Sequence, residues 1–120
     1  MQTGNMESNG AITFETEIDN GNSGASATID WAEGNKQMIT LTDDCTISFS
    51  DPQGACNLVF KVVQEGSGGS RTITWPGTIK WVGATEPTLS TAVDSIDIIT
   101  FYFDGTTYFG ASLLDFQVEA

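Results

Sequence analysis

The chain has 120 residues, with 16 acidic and four basic side chains, no histidine and a net charge of −12. That length fits one domain, and a field of that sign repels phosphate backbones and anionic lipid, which argues against nucleic-acid and membrane partners. No apolar run nears the ~20 residues that cross a bilayer, and Met1-Gln2-Thr3-Gly4-Asn5 has neither the basic nor the apolar region of a signal peptide.

Residues 1–10 are polar and aperiodic and read as an N-terminal arm, which leaves residues 11–120 as the folded domain. Ala11–Ile18 alternates as a strand does. Asp19–Gly24 consists of turn formers and reads as a loop. Its oxygens also suit calcium, but Gly21 stands where a D-x-[DN]-x-[DN]-G loop needs an oxygen-bearing side chain. Strands follow at Ala25–Trp31 and at Lys36–Thr42, the latter with Ile39 and Leu41 inward, and Asp43-Asp44 is a tight connection.

Cys45–Ser50 and Ala55–Gln64 flank Asp51-Pro52-Gln53-Gly54, with proline and glycine where a type I turn prefers them. The pair reads as a hairpin. A turn centred between Pro52 and Gln53 sets Cys45 opposite Phe60 and Cys56 opposite Phe49, too far apart for the thiols to bridge. Both cysteines fall on the apolar strand face and read as buried free thiols, a disulfide being the alternative.

Glu65–Ser70 is a glycine- and serine-rich flexible loop. Arg71–Trp75 and Thr78–Trp81 flank the turn signal Pro76-Gly77, and Ala84–Ala92 is irregular. Ser95–Phe103 is a long strand with apolar residues on both faces, as expected of a strand buried on both sides or packed against another subunit. Asp104-Gly105 marks a hairpin into Thr107–Gly110, and Ser112–Val118 is the last expected strand.

One pattern recurs three times: Thr28-Ile29-Asp30-Trp31, Thr72-Ile73-Thr74-Trp75 and Thr78-Ile79-Lys80-Trp81. On a strand, residues two apart share a face, so Ile and Trp point one way and the polar residues the other. Nine or ten short strands without a helix make an all-β fold, expected as an antiparallel β-sandwich, with a jelly roll or barrel as possible forms. The expected core includes Trp31, Cys45, Phe49, Cys56, Phe60, Trp75, Trp81 and Phe101.

Catalytic equipment is sparse. Without histidine there are no Ser-His or Cys-His pairs and no histidine metal ligands. The three lysines fall on wet strand faces, which disfavours Ser-Lys chemistry. With 16 acids, chance carboxylate pairs carry no signal. No phosphate-binding glycine loop is present, since Gly66–Gly69 lacks the basic residue and helix such a loop needs. No catalytic residue, cofactor or metal is expected, and the protein is not expected to be an enzyme. Trp31, Trp75, Trp81, Tyr102 and Tyr108 are the residues that could stack on sugars, although core packing is the default for the tryptophans.

Several blocks carry a resemblance. They are Ile29-Asp30-Trp31 with Gly34–Gln37 and Ile39-Thr40-Leu41; Cys56–Leu58 through Lys61–Gly66; Arg71–Pro76; Ile79-Lys80-Trp81; Pro87–Thr91; and Asp97–Gly110. In this order they resemble a β-sandwich module of tailed-bacteriophage virion proteins, across residues 25 to 116. The resemblance implies a non-enzymatic virion protein on the exterior of the particle, commonly a homotrimer. The short chain and polar arm then favour a capsid decoration (cement) protein bound to the major capsid protein or another virion protein. The alternative is a head-fibre or tail-fibre tip that contacts the host surface or glycans.

Overall fold

The computed structural model describes residues 10, 11 and 13–119. The expected arm, save Gly10, lies outside the described residues. Nine strands follow in order: β1 (Ile18–Asn22), β2 (Ser26–Asp30), β3 (Lys36–Leu41), β4 (Cys45–Ser50), β5 (Cys56–Gln64), β6 (Ile73–Thr74), β7 (Lys80–Trp81), β8 (Ile96–Phe103) and β9 (Tyr108–Leu113). Single 3₁₀ turns at Trp31–Glu33 and Val82–Ala84 interrupt them. Two sheets pack together, one of six strands in the order β1-β3-β5-β8-β9-β7 and one of three in the order β2-β4-β6. The all-β, two-layer expectation therefore holds.

The strand directions differ from the expected antiparallel arrangement. β1 with β3, β3 with β5, β2 with β4, β4 with β6 and β7 with β9 are parallel; β5 with β8 and β8 with β9 are antiparallel. Odd strands from β1 to β5 lie in one sheet and even strands from β2 to β6 in the other, so the chain winds as a spiral of three coils. A jelly roll, built from antiparallel Greek keys, is not this winding. The reason the sequence misleads is geometric: period-2 alternation is the same for either direction.

The expected hairpin opens accordingly, and the turn at Pro76-Gly77 has the same outcome. Asp51–Ala55 does not fold β4 onto β5 but carries the chain across to the other sheet, and Pro76-Gly77 likewise crosses from β6 to β7. Cys45 sits beside Ile73 and Cys56 beside Phe103, not opposite Phe60 and Phe49. Both cysteines are free. The first strand also begins later than expected, at Ile18, and takes in part of the expected loop. Asn20 holds it there, donating through Nδ2 to Gln37 Oε1 at 3.1 Å and to the Met38 carbonyl at 2.9 Å. The strand expected over Ser112–Val118 stops at Leu113.

The core lies between the sheets. Phe101 stands at its centre, with ring contacts to Trp31, Phe49, Trp75, Trp81 and Tyr108 at 5.4–6.2 Å. Most of these pairs meet edge to face, the arrangement the aromatic quadrupole favours. Three buried polar side chains fasten the coils. Gln37 donates to the carbonyls of Asp30 and Gly34. Gln64 donates to the carbonyls of Arg71 and Ser90 and accepts from Arg71 N. The Asp97 carboxylate accepts from Ser90 N and Oγ, both at 2.7 Å, and from Asp115 N at 2.8 Å.

The expected flexible loop Glu65–Ser70 is tied down. Arg71 pairs with Glu65 at 2.9 Å, and Ser70 N donates to the Thr91 carbonyl. Gly69 takes φ +68°, and a Cβ there would lie 2.7 Å from the Thr91 oxygen. Glycine is required by both the backbone angle and the close approach.

Candidate functional site

The two sheets present very different outer faces. In the three-stranded sheet, register sets Ser26 beside Thr46, Thr28 beside Ser48, Asp30 beside Ser50 and Thr46 beside Thr74. This face is almost entirely hydroxyl-bearing, as suits a surface in contact with water.

The outer face of the six-stranded sheet is apolar. β8 contributes Ile96, Ile98, Thr100 and Tyr102, and β9 contributes Phe109, Ala111 and Leu113. Cross-strand register aligns Tyr102 with Phe109, and Ile98 with Leu113. The adjoining β5 adds Asn57, Val59, Lys61 and Val63, and β3 adds Lys36, Met38 and Thr40. Tyr102 and Phe109 stack with centroids 6.1 Å apart and planes 28° from parallel, each at least 40% exposed. Leu113, Leu114 and Phe116 continue the exposed apolar surface.

The charge pattern of this face is unusual for so acidic a chain. None of the outward positions on its four middle strands β3, β5, β8 and β9 is acidic, and two of the four basic residues, Lys36 and Lys61, stand on it; Asp19 on the edge strand β1 lies beside Met38. Lys61 stands between Met38 and Ile98, and its Nζ bonds Glu17 at 2.7 Å, which brings one carboxylate onto the middle of the face. Large contiguous apolar patches mark interaction surfaces.

A second region lies at one end of the sandwich. The spiral winding gathers the β2–β3, β4–β5 and β8–β9 connections there. A cavity of about 360 Å³ opens among Trp31, Ala32, Asn35, Pro52–Ala55 and Cys56. Tyr108 Oη donates to Asp51 Oδ1 at 2.7 Å and braces this end. Burial, followed by that bond and the Asp51 charge, holds the Tyr108 phenol far above its usual pKa. Asp104 Oδ1 caps the neighbouring turn, accepting from Thr107 N and Thr106 N, and those bonds hold its carboxyl below the usual range. Burial pushes both the Cys45 and Cys56 thiols up, which makes them less reactive.

The eight residues expected in the core are all drawn into one cluster, but to different depths. Trp31, Cys45, Phe60, Trp75 and Phe101 are buried, whereas Phe49, Cys56 and Trp81 are partly exposed at its margin. Trp31 Nε1 is buried without a hydrogen-bond partner among the described residues. Of the aromatic residues that could stack on sugars, Tyr102 is the one that is more than half exposed. The residues that sequence reasoning missed are the outward ones on β3, β5 and β9. Their signal was a lack of acids at alternate positions, visible only once strand register is known.

No curated protein and no solved structure matches the chain. Residues 24–108 match a family model described as "Putative phage tail fibre C-terminal domain". That span covers well over half of the sequence, from the turn before β2 through the first residue of β9. The chain belongs to this phage tail fibre C-terminal domain family, and it is a fibre-type structural component of the phage particle.

Proposed function

We propose that this chain is a non-enzymatic terminal module of a tail fibre, displayed on the outside of the particle, which works by assembling with copies of itself as a homotrimer. The observation that carries the reading is the apolar outer face of β3-β5-β8-β9, whose strand positions hold no acid and whose Lys61 is already paired with Glu17. Elsewhere two chains of net charge −12 repel each other. This is the face on which they can approach and bury apolar area at about 25 cal/mol per Å². The opposite hydroxyl face then points to solvent.

The family match favours this fibre reading over the capsid decoration expected from chain length. The loop end supplies the surface for contact with the host or its glycans, because connections grouped at one end of a rigid scaffold are where recognition residues concentrate. The cavity among Trp31, Asn35 and Gln53 is its most recessed part.

Sedimentation of the purified chain tests the assembly. The expected result is a trimer that Ile98→Glu or Leu113→Glu converts to a folded monomer, since each places an acid on the apolar face. A chain that stays monomeric at high concentration, or a trimer indifferent to both substitutions, overturns the reading.

A further inference from the structure

The loop end holds a donor that the fold does not use. Trp31 is 1% exposed, and its Nε1 is buried without a partner among the described residues. Phe49, Phe60 and Phe101 meet the indole at 5.6–6.1 Å and offer it no oxygen. A buried N–H without an acceptor lowers stability, so such a group calls for a reason. Trp31 also lines the loop-end cavity of about 360 Å³, a volume at the small end of the range of small-molecule sites. That cavity can admit an acceptor where the phenylalanines supply none.

The rest of the lining suits hydroxyl groups. Asn35 Nδ2 is taken by the Asn57 carbonyl at 3.0 Å, which fixes the amide and leaves Oδ1 as an acceptor. The exposed Gln53 amide has no partner among the described residues and offers both a donor and an acceptor. Ala32, Pro52 and Ala55 supply apolar surface. A donor, an acceptor, an amide that is both and an apolar wall together match a sugar ring, whose hydroxyls donate and accept and whose C–H face is apolar.

Charge narrows the class. No lining residue is charged. Asp30, Glu33 and Asp51 flank the lining segments in sequence, while Lys36, next to Asn35, stands on the outer sheet face. The field of a chain with net charge −12 disfavours sugars that bear carboxylate or phosphate. The walls are also braced: Tyr108 Oη holds Asp51 at 2.7 Å, and Ala32 N bonds Asp30 Oδ1 at 3.0 Å. A braced site loses less freedom on binding.

We propose that this cavity binds one uncharged sugar residue, with Trp31 Nε1, Asn35 Oδ1 and the Gln53 amide bonding its hydroxyls. This deepens the loop-end contact proposed above, on which it rests, by naming the chemistry of the ligand.

Nuclear magnetic resonance of the full chain tests it. The methyl glycosides of glucose, galactose, mannose and N-acetylglucosamine are each titrated to high millimolar concentration, with glycerol and N-acetylneuraminic acid as controls. The expected result is that at least one glycoside moves the assigned Trp31 indole N–H signal saturably, while the Trp75 and Trp81 signals stay in place and neither control binds comparably. Gln53→Ala should weaken that binding about fivefold. Gly54→Phe should abolish it: Gly54 lines the cavity, and a Cβ there meets nothing within 4 Å, so the added ring can fill the space in a folded chain. If no glycoside binds, the ligand class is wrong. If one binds but leaves the Trp31 signal unmoved, or is indifferent to both substitutions, the site is wrong. An equal response to glycerol or to the sialic acid also overturns the proposal. Sedimentation of the same samples keeps the two readings apart: a trimer that binds no glycoside sinks the sugar site and leaves the assembly standing, and sugar binding by a monomer does the reverse.

Discussion

Gly110 lies directly against the indole of Trp81: a Cβ at position 110 would stand 2.5 Å from Cζ3 and 2.6 Å from Cε3 of that ring. It would also crowd Phe101 at 3.2 Å. The absent side chain lets edge strand β7 close over the core, with Trp81 reaching Trp75 at 5.3 Å and Phe101 at 5.7 Å. Gly110→Ala should cost about 1–3 kcal/mol through overpacking. Trp81→Leu in the same chain should recover part of the loss, and a double-mutant cycle in urea measures that coupling.

Asp97 joins three parts of the molecule: β8, the Ser90 segment and the Asp115 turn. Asp97→Ala leaves three donors without their acceptor, two of them in backbone. The expected destabilisation is about 3 kcal/mol or more, read from the urea midpoint. Asp97→Asn retains one acceptor oxygen and should lose less.

The Tyr108 phenol is held above its usual pKa of 10 in the folded chain. The neutral form is therefore favoured by folding. Its contribution is complete below pH 10 and is lost as pH rises past the unfolded value toward the folded one. Stability should decline above about pH 10 in the parent. Tyr108→Phe should be weaker at neutral pH by about 1 kcal/mol, with a shallower alkaline decline, measured by denaturation at a series of pH values.

The two thiols should differ in access. Cys45 is 2% exposed, while Cys56 borders the loop-end cavity. A thiol reagent at pH 8 should modify Cys56 first and Cys45 only as the chain opens. Two equivalents should react in denaturant, since neither is bridged.

How far the sequence reveals this fold depends on which kind of relationship is asked of it. Inward positions were legible: Ile39 and Leu41, Cys45 and Ile47, and Leu58, Phe60 and Val62 all face the core as alternation requires. The β8–β9 hairpin was legible from Asp104-Gly105, because a tight turn has its own chemistry; the observed connection is two residues longer, Asp104 to Thr107. Strand partners were not. Pro52 and Pro76 mark a change of direction equally well whether the chain pairs back or crosses to another sheet. The apolar outer face shares this blindness, since Lys36 and Val59, or Tyr102 and Phe109, become neighbours only through register. The roles of Gln37, Gln64 and Asp97 were hidden too, because a polar residue inside a strand gives no sign of which distant backbone it will meet.

The spiral has a consequence for how the molecule is made. Each parallel pairing joins residues about twenty or more apart, as Ser26 does with Thr46 and Lys36 with Val59, so a full circuit must emerge before two strands can meet. Among the described strands only β8 and β9 are sequence neighbours that pair, and they follow the other seven along the chain. Until Ile96–Phe103 docks, one edge of β5 is a row of backbone groups without a partner strand. Completion of the larger sheet therefore waits on the β8–β9 hairpin. A ribosome that stops early releases not a smaller fibre module but an adhesive intermediate.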